Sequence, residues 1–326
     1  MVERDTTRPG GWSFRTEADA VLPLNYAVQI AVPAGESPLW LHMVYTADGI
    51  YVPAIIRTPP GKGPFPAVLA MHGGSGGLGI SYLVDFMLNR GYVFERLLQE
   101  GYAVCFTEGR MEIEEAYGTD IPSVLDHLDI IATFRYLQSL PYVDGERVAM
   151  LGVSHGGELQ MKVITEIGEG PAALVPMEPA VIEYLGLQYD GPRTEANLQF
   201  NEDLSDEQVD YERAWQRIQQ ISPTVPILVV GRDQDHLQGL FHKLYLLLEK
   251  AGKNATWKTW DHPEHAYQWG PRRQESVEAY HGAITKLQST YEVEPLQVET
   301  LDAVLAFLNQ HVRDKAPAGS LQAQAA

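Results

Sequence analysis

Val148-Ala-Met-Leu-Gly-Val-Ser-His-Gly-Gly157 is the stretch on which the reading of this chain turns. Val148 to Leu151 is an apolar run without alternation, as expected of a strand buried on both faces of a parallel sheet. Gly152-Val153-Ser154-His155-Gly156 follows directly and matches G-x-S-x-G, and a helical stretch follows that. The five-residue pattern is common by itself; strand, sharp turn and helix in that order make it specific. In such a turn the serine hydroxyl projects outward, and a side chain on either glycine would strike neighbouring backbone. The helix behind it aims its N-terminus at the hydroxyl, which favours negative charge developing there. Ser154 is therefore the candidate nucleophile; a plain helix-capping serine is the bland alternative.

The same alternation continues on both sides. Residues 67–71, 103–106, 172–175, 227–230 and 256–259 read as strands, and residues 82–99, 121–140, 240–251 and 301–312 as helices. Residues 39–46 and 50–57 flank Asp48-Gly49 and predict an antiparallel hairpin. The result is an α/β fold: a mostly parallel central sheet with helices on both faces and an antiparallel N-terminal edge. Residues 178–222 break the rhythm with 45 residues, ten of them acidic and three Arg. That is long for a connection and reads as a lid-like insertion. Within it, Ser205 and Gln208 predict a capping box opening a helix that runs to Gln220. Tyr184, Leu185, Tyr189, Phe200 and Trp215 are its candidates for lining a pocket. Residues 1–37 read as an extended lead-in, 38–313 as the catalytic domain and 314–326 as a flexible tail.

Met71-His72-Gly73-Gly74-Ser75-Gly76-Gly77 closes another apolar strand. Acyl transfer needs two hydrogen-bond donors aimed at an oxyanion. Here they are the N–H of Gly74 or Gly73 and the N–H of His155, next after the nucleophile.

Composition narrows the function classes. The chain has 326 residues, 45% hydrophobic and 21% charged, in the range of ordinary globular proteins. Lys plus Arg number 24 against 43 Asp plus Glu, for a formal net charge of −19. That argues against nucleic acid as a partner and against docking on an anionic membrane. Cys105 is alone, so no intrachain disulfide forms. With neither a signal peptide nor an apolar run near the ~18 residues of a membrane span, the expectation is a cytoplasmic protein.

Pro64-Phe-Pro-Ala-Val-Leu-Ala-Met-His-Gly-Gly74, taken with Leu140-Pro-Tyr-Val-Asp-Gly-Glu-Arg-Val-Ala-Met-Leu-Gly-Val-Ser-His-Gly-Gly157, resembles the α/β-hydrolase fold. The second stretch, with its doubled glycine, resembles the catalytic domain of the prolyl-oligopeptidase family and its esterase relatives. The likeness covers roughly residues 40–313. The large peptidases of that family carry an N-terminal β-propeller, which some 40 residues cannot build. The resemblance implies a Ser, Asp, His triad in that chain order. Its acid would lie just past residues 227–230, where Gly231-Arg-Asp-Gln-Asp-His236 offers Asp233 and Asp235. The family's count of nine from a proline, taken from Pro226, selects Asp235 and leaves Asp233 as the alternative acid. The family's spacing of three from the glycine fits neither. The base would be His262 or His265, and the pattern of a histidine followed by a small residue and an aromatic selects His265.

The implied activity is hydrolysis of a carboxylic ester through an acyl-enzyme, with a small-molecule acyl substrate and water as the partners and no cofactor. A small serine peptidase acting on acyl- or aminoacyl-peptides is the alternative, and a non-catalytic binding protein on the same scaffold is a third. A metal site assembled from Asp233, Asp235, His236, His262, Glu264 and His265 lacks a compact ligand motif, and the expectation is no metal. A homo-oligomer is compatible with the sequence.

Overall fold

The apolar runs become strands because each residue finds a core on its own side of one sheet. A computed structural model describes residues 2–5, 11–14, 25–32, 36–74, 79–110, 125–188, 198–270, 279–280, 283–284 and 293–314. Among them the large sheet contains β1 (Tyr26–Ile30), β2 (Leu39–Tyr45), β3 (Tyr51–Arg57), β4 (Phe65–Met71) and β5 (Ala103–Thr107). It continues with β6 (Val143–Val153), β7 (Leu174–Met177), β8 (Ile227–Asp233) and β9 (Ala255–Asp261). The spatial order is β9-β8-β7-β6-β4-β5-β3-β2-β1. Strands β4 to β9 pair in parallel, and β1, β2 and β3 form an antiparallel edge joined to β5. This is the expected α/β architecture. Two short antiparallel ribbons, Val2–Asp5 with Gly11–Phe14 and Ala279–Tyr280 with Ala283–Ile284, stand apart from that sheet.

Successive side chains along a strand point to opposite faces, and the two faces carry separate cores. Ala67, Leu69, Val148, Met150, Ile227 and Val229 face one, with α3 (Asp126–Ser139), α4 (His155–Ile167), α5 (Ile182–Leu185), α6 (Tyr211–Gln220) and α7 (Gln238–Lys250). Val68, Ala70, Ala149, Leu151, Leu228 and Val230 face the other, with α1 (Gly79–Asp85), α2 (Tyr92–Gln99) and α8 (Pro295–Leu308).

Local chemistry changes four boundaries. The single helix predicted over residues 82–99 is broken into α1, a π-helical turn Phe86–Arg90 and α2. Gly91 sits at the break, where a Cβ would lie 2.8 Å from the Phe86 carbonyl oxygen. The capping box at Ser205 forms as predicted, but it heads only the 3₁₀ turn Asp206–Gln208. The helix proper starts afresh behind Asp210, whose side chain accepts from the Arg213 N–H at 3.1 Å. Part of the predicted lead-in pairs with β2 as the edge strand β1. The C-terminal helix begins at Pro295, at a position where its missing N–H costs nothing.

The described parts of the segment, residues 178–188 and 198–222, lie along α4 and α7. Tyr184 is buried, and its hydroxyl lies 2.9 Å from Thr165 Oγ1, near the far end of α4 from Ser154. Trp215 stacks on Tyr211 with the Lys250 ammonium over both rings. Phe200 lies at the catalytic edge of the sheet: its N–H donates to the His236 carbonyl at 2.5 Å, and its carbonyl accepts from Gly239 at 2.7 Å. Tyr189, Ser75 to Gly77, the start of the helix predicted from residue 121, and the tail from 315 lie outside the described residues.

Candidate active site

The parallel strands deliver their C-terminal ends to one edge, where α/β sheets place their ligands. Ser154 leaves β6 with φ 54° and ψ −117°, a left-handed backbone that L residues rarely adopt, and heads α4. The turn is closely held. Its N–H donates to the Met177 carbonyl at 2.9 Å, and its carbonyl accepts from the N–H groups of Gly157, Glu158 and Ala180. The flanking glycines are required by space. A Cβ on Gly152 would lie 2.3 Å from the Gly156 carbonyl oxygen, and one on Gly156 would lie 2.4 Å from that of Met71. The Ser154 side chain makes no cap hydrogen bond to the helix it heads, which leaves its hydroxyl available to a base.

Gly73 packs against the serine: a Cβ there would lie 3.1 Å from the Ser154 Cβ. Gly74 beside it is exposed. The side chain of His72 turns inward, donating from Nδ1 to the Gly73 carbonyl at 2.7 Å, with Nε2 3.5 Å from buried Glu108. His155 is buried, with its ring 3.6 Å from Glu158, and its backbone N–H lies in the first turn of α4.

His265 and Asp235 are brought together. Nδ1 of His265 donates to Asp235 Oδ2 at 2.8 Å. Asp235 is 0% exposed, and the His265 side chain is 29% exposed. Asp235 is further held by the Arg232 guanidinium, from Nε at 2.9 Å and Nη2 at 2.7 Å, and by the Leu237 N–H at 2.7 Å. Asp233, two residues earlier, belongs to the end of β8, where its Oδ1 accepts from the Thr259 hydroxyl at 2.7 Å. The period of two between them does not persist, because Gln234 takes a left-handed φ of 62° and turns the chain. His262 is buried, stacked on Tyr267 at a ring separation of 4.0 Å and paired with Glu294 at 3.1 Å.

The sequence offers one member of this group only as a fallback acid, with Asp261, should neither Asp233 nor Asp235 serve. Glu178, next after β7, is 0% exposed and has a left-handed φ of 44°. Its Oε2 lies 2.8 Å from His265 Nδ1, as close as Asp235, although only the Asp235 contact has hydrogen-bond geometry. The same oxygen accepts from the Ala266 N–H at 2.8 Å, and Oε1 accepts from Gln268 Nε2 at 2.6 Å. The legible signal was its position: an acid directly after an apolar strand, at the edge where site residues gather.

The electrostatics follow. Burial works to raise the Asp235 carboxyl, but hydrogen bonds from His236, His265 and Leu237 outweigh it and hold the acid well below the usual carboxylate range. Burial likewise opposes charge on His265, but Asp235 and Glu178 prevail and push its imidazole up to about 9. Glu178, Asp235 and His265 offer ligand atoms within 4.8 Å of one another, a spacing that a cation can use. Arg232 already supplies the cation there, 2.7 Å from Asp235 and 3.7 Å from Glu178, so the cluster fits a charge-paired relay better than a metal centre.

A cavity of ≈ 250 Å³ opens beside His265, lined by Phe86, Glu264, Tyr267, Trp269, Glu294 and Gln297. No helix among the described residues is long and apolar enough to cross a membrane.

Known proteins resemble this chain in stretches of sequence and in fold. Acyl-coenzyme A thioesterase 5 of Mus musculus is 29% identical over 141 residues, covering 42% of this chain and 29% of that protein. A probable dipeptidyl-aminopeptidase B of Ajellomyces dermatitidis is 32% identical over 143 residues, covering 41% of this chain and 15% of that protein. The chain therefore spans less than a third of the length of these curated relatives. Among solved structures, the thermophilic carboxylesterase EstE1, cloned from a metagenomic library, superposes with a TM-score of 0.56 at 18% identity, covering 87% of this chain and 91% of that one. The family model described as X-Pro dipeptidyl-peptidase matches residues 48–269, well over half of the sequence, so this chain belongs to the S15 peptidase family and is a hydrolase of the α/β-hydrolase fold.

Proposed function

We propose that the chain hydrolyses carboxylic esters by two-step acyl transfer, with Ser154 as nucleophile, His265 as base and Asp235 as acid. The observation that carries this reading is the Asp235–His265 hydrogen bond of 2.8 Å, on the sheet edge where Ser154 leaves β6 in its strained turn. His265 Nε2 takes the Ser154 proton as Oγ attacks the carbonyl carbon. The N–H groups of His155 and of Gly73 or Gly74 hold the oxyanion. His265 then passes the proton to the leaving oxygen, and a water activated by the same nitrogen releases the acid. Asp235 fixes the ring with its proton on Nδ1 and stabilises the imidazolium.

An ester is preferred because a peptidase of this size must hold a peptide terminus, and acids of the insertion are already engaged. Glu183 pairs with Lys162, Asp206 with Lys243 and Asp203 with His242, while Asp210 caps α6. The second reading, aminoacyl-peptide hydrolysis, is favoured by the family match and by Glu264 and Glu294 in the cavity beside His265, where an amine would be at home. A panel of p-nitrophenyl esters, an acyl-coenzyme A thioester and aminoacyl-prolyl anilides decides between them. The esters should give the highest kcat/KM; faster cleavage of anilides bearing a free amine would transfer the assignment to the peptidase. A serine-reactive phosphonate should label the protein, as it would not label a non-catalytic binder.

The acid is tested in the same assay. Asp235→Asn should lower kcat by about 10²–10⁴, the upper figure being the serine-protease template. Asp233→Asn, whose partner Thr259 a neutral amide oxygen still serves, should stay within about twofold. The reverse pattern would move the acid to Asp233.

A further inference from the structure

Glu178 is an expensive residue to keep. A fully buried carboxylate is costly unless paired, and a non-glycine residue in the left-handed region costs roughly 1–3 kcal/mol more. Neither cost buys packing, since its carboxylate contacts are polar. They fall on four groups: the Ala266 N–H, the Gln268 amide, the Arg232 guanidinium and His265 Nδ1.

We infer that Glu178 is a second acid partner of His265, a positioning residue that anchors the loop carrying the histidine, stabilises its charged form and accepts its Nδ1 proton when Asp235 is lost. This rests on the triad reading above. Three observations support it. First, Glu178 holds the residues on the C-terminal side of His265, through the backbone of Ala266 and the side chain of Gln268, so the ring's place depends on it. Second, its Oε2 stands 2.8 Å from Nδ1, so a small rotation of the ring exchanges one carboxylate for the other. Third, the charges of the four directly linked groups balance only when the ring is protonated: Asp235 and Glu178 against Arg232 and an imidazolium. With neutral His265 the group carries one uncompensated negative charge, so the set favours the state reached as Ser154 gives up its proton.

The charged and titratable groups facing His265 are Asp235 and His236 from the turn after β8, Arg232 from β8 itself, Glu178 from the turn after β7 and Glu264 from its own loop. The His236 ring lies edge-on at 6.0 Å, and its Nδ1 is 3.1 Å from Asp235 Oδ1. Removing the Glu178 charge while keeping its shape therefore has a definite sign. A base must be neutral to act, so kcat/KM in the wild type should rise with pH through about 9. In Glu178→Gln that limb should move to lower pH by roughly one to two units, the usual effect of one neighbouring opposite charge. The high-pH plateau should fall roughly tenfold, the rate equivalent of one such unit. At low pH the variant's limb then meets that of the wild type, and crosses it where the shift exceeds about one unit, which a merely structural loss does not produce.

The experiment measures pH profiles of kcat/KM for wild type, Glu178→Gln, Asp235→Asn and the double variant, with melting temperature and phosphonate labelling as controls for folding. Asp235→Asn alone should retain more activity than the template's ~10⁴ loss allows, and Asp235→Asn with Glu178→Gln should reach that loss. An unshifted limb in folded, Ser154-dependent Glu178→Gln overturns the inference and leaves the triad standing. If Glu178→Gln does not fold, the single Asp235→Asn variant decides: a full ~10⁴ loss means no second partner. Activity that survives Ser154→Ala would instead remove the triad reading itself.

Discussion

Ser154→Ala should lose turnover by about 10⁴–10⁶, and with it all labelling by a serine-reactive phosphonate, while melting at the wild-type temperature. The size follows from the chemistry: without Oγ no acyl-enzyme forms, and only substrate binding and the oxyanion donors remain. The unchanged melting point follows from the structure. Every hydrogen bond that holds the turn uses the backbone of residue 154, not its hydroxyl, and Ala carries the same backbone strain as Ser. Esterase activity near the wild-type level in this variant would remove Ser154 from the reaction.

His265→Ala should cost about as much, also ~10⁴–10⁶ in kcat, and the double variant with Ser154→Ala should be no worse than either alone, because nucleophile and base act as one unit. His262→Ala separates the two histidines of the loop. His262 is 4% exposed and stacked on Tyr267, with Glu294 as its partner. Its removal should lower stability by about 1–3 kcal/mol, read as an earlier melting transition, with kcat of the folded enzyme nearly unchanged. A dead His262→Ala beside an active His265→Ala would exchange their roles.

Much of this was legible from residues because the decisive signals are local. A buried strand, two glycines and a serine can be read from ten consecutive positions, and the packing distances at Gly152 and Gly156 supply the reason for the pattern. Asp235 and His265 are selected by spacing that the family resemblance supplies; residues alone leave Asp233 and His262 open, since nothing in Gly231-Arg-Asp-Gln-Asp-His236 announces the left-handed turn at Gln234. Glu178 reads only as one of ten acids of an insertion and as a fallback acid beside Asp261. Its role depends on His265, 87 positions later in the chain, and no periodicity records such a contact. The edge strand β1 was missed for a related reason. Val28 is 51% exposed, and an edge strand with little to bury has little pattern to show. The helix expected from Ser205 began late because Asp210 offers a second cap five residues on.

The turn after β7 has a consequence for how the enzyme fails. Met177 and Ala180 grip the backbone of Ser154, and Glu178 between them grips the loop of His265. Ser154 and His265 are thus tied to the same four residues, which themselves extend an interior strand. Fraying at the molecule's margins leaves that tie intact, and releasing it means opening the middle of the sheet, among the last regions to exchange its amide hydrogens. Heat inactivation should therefore coincide with global unfolding, not precede it.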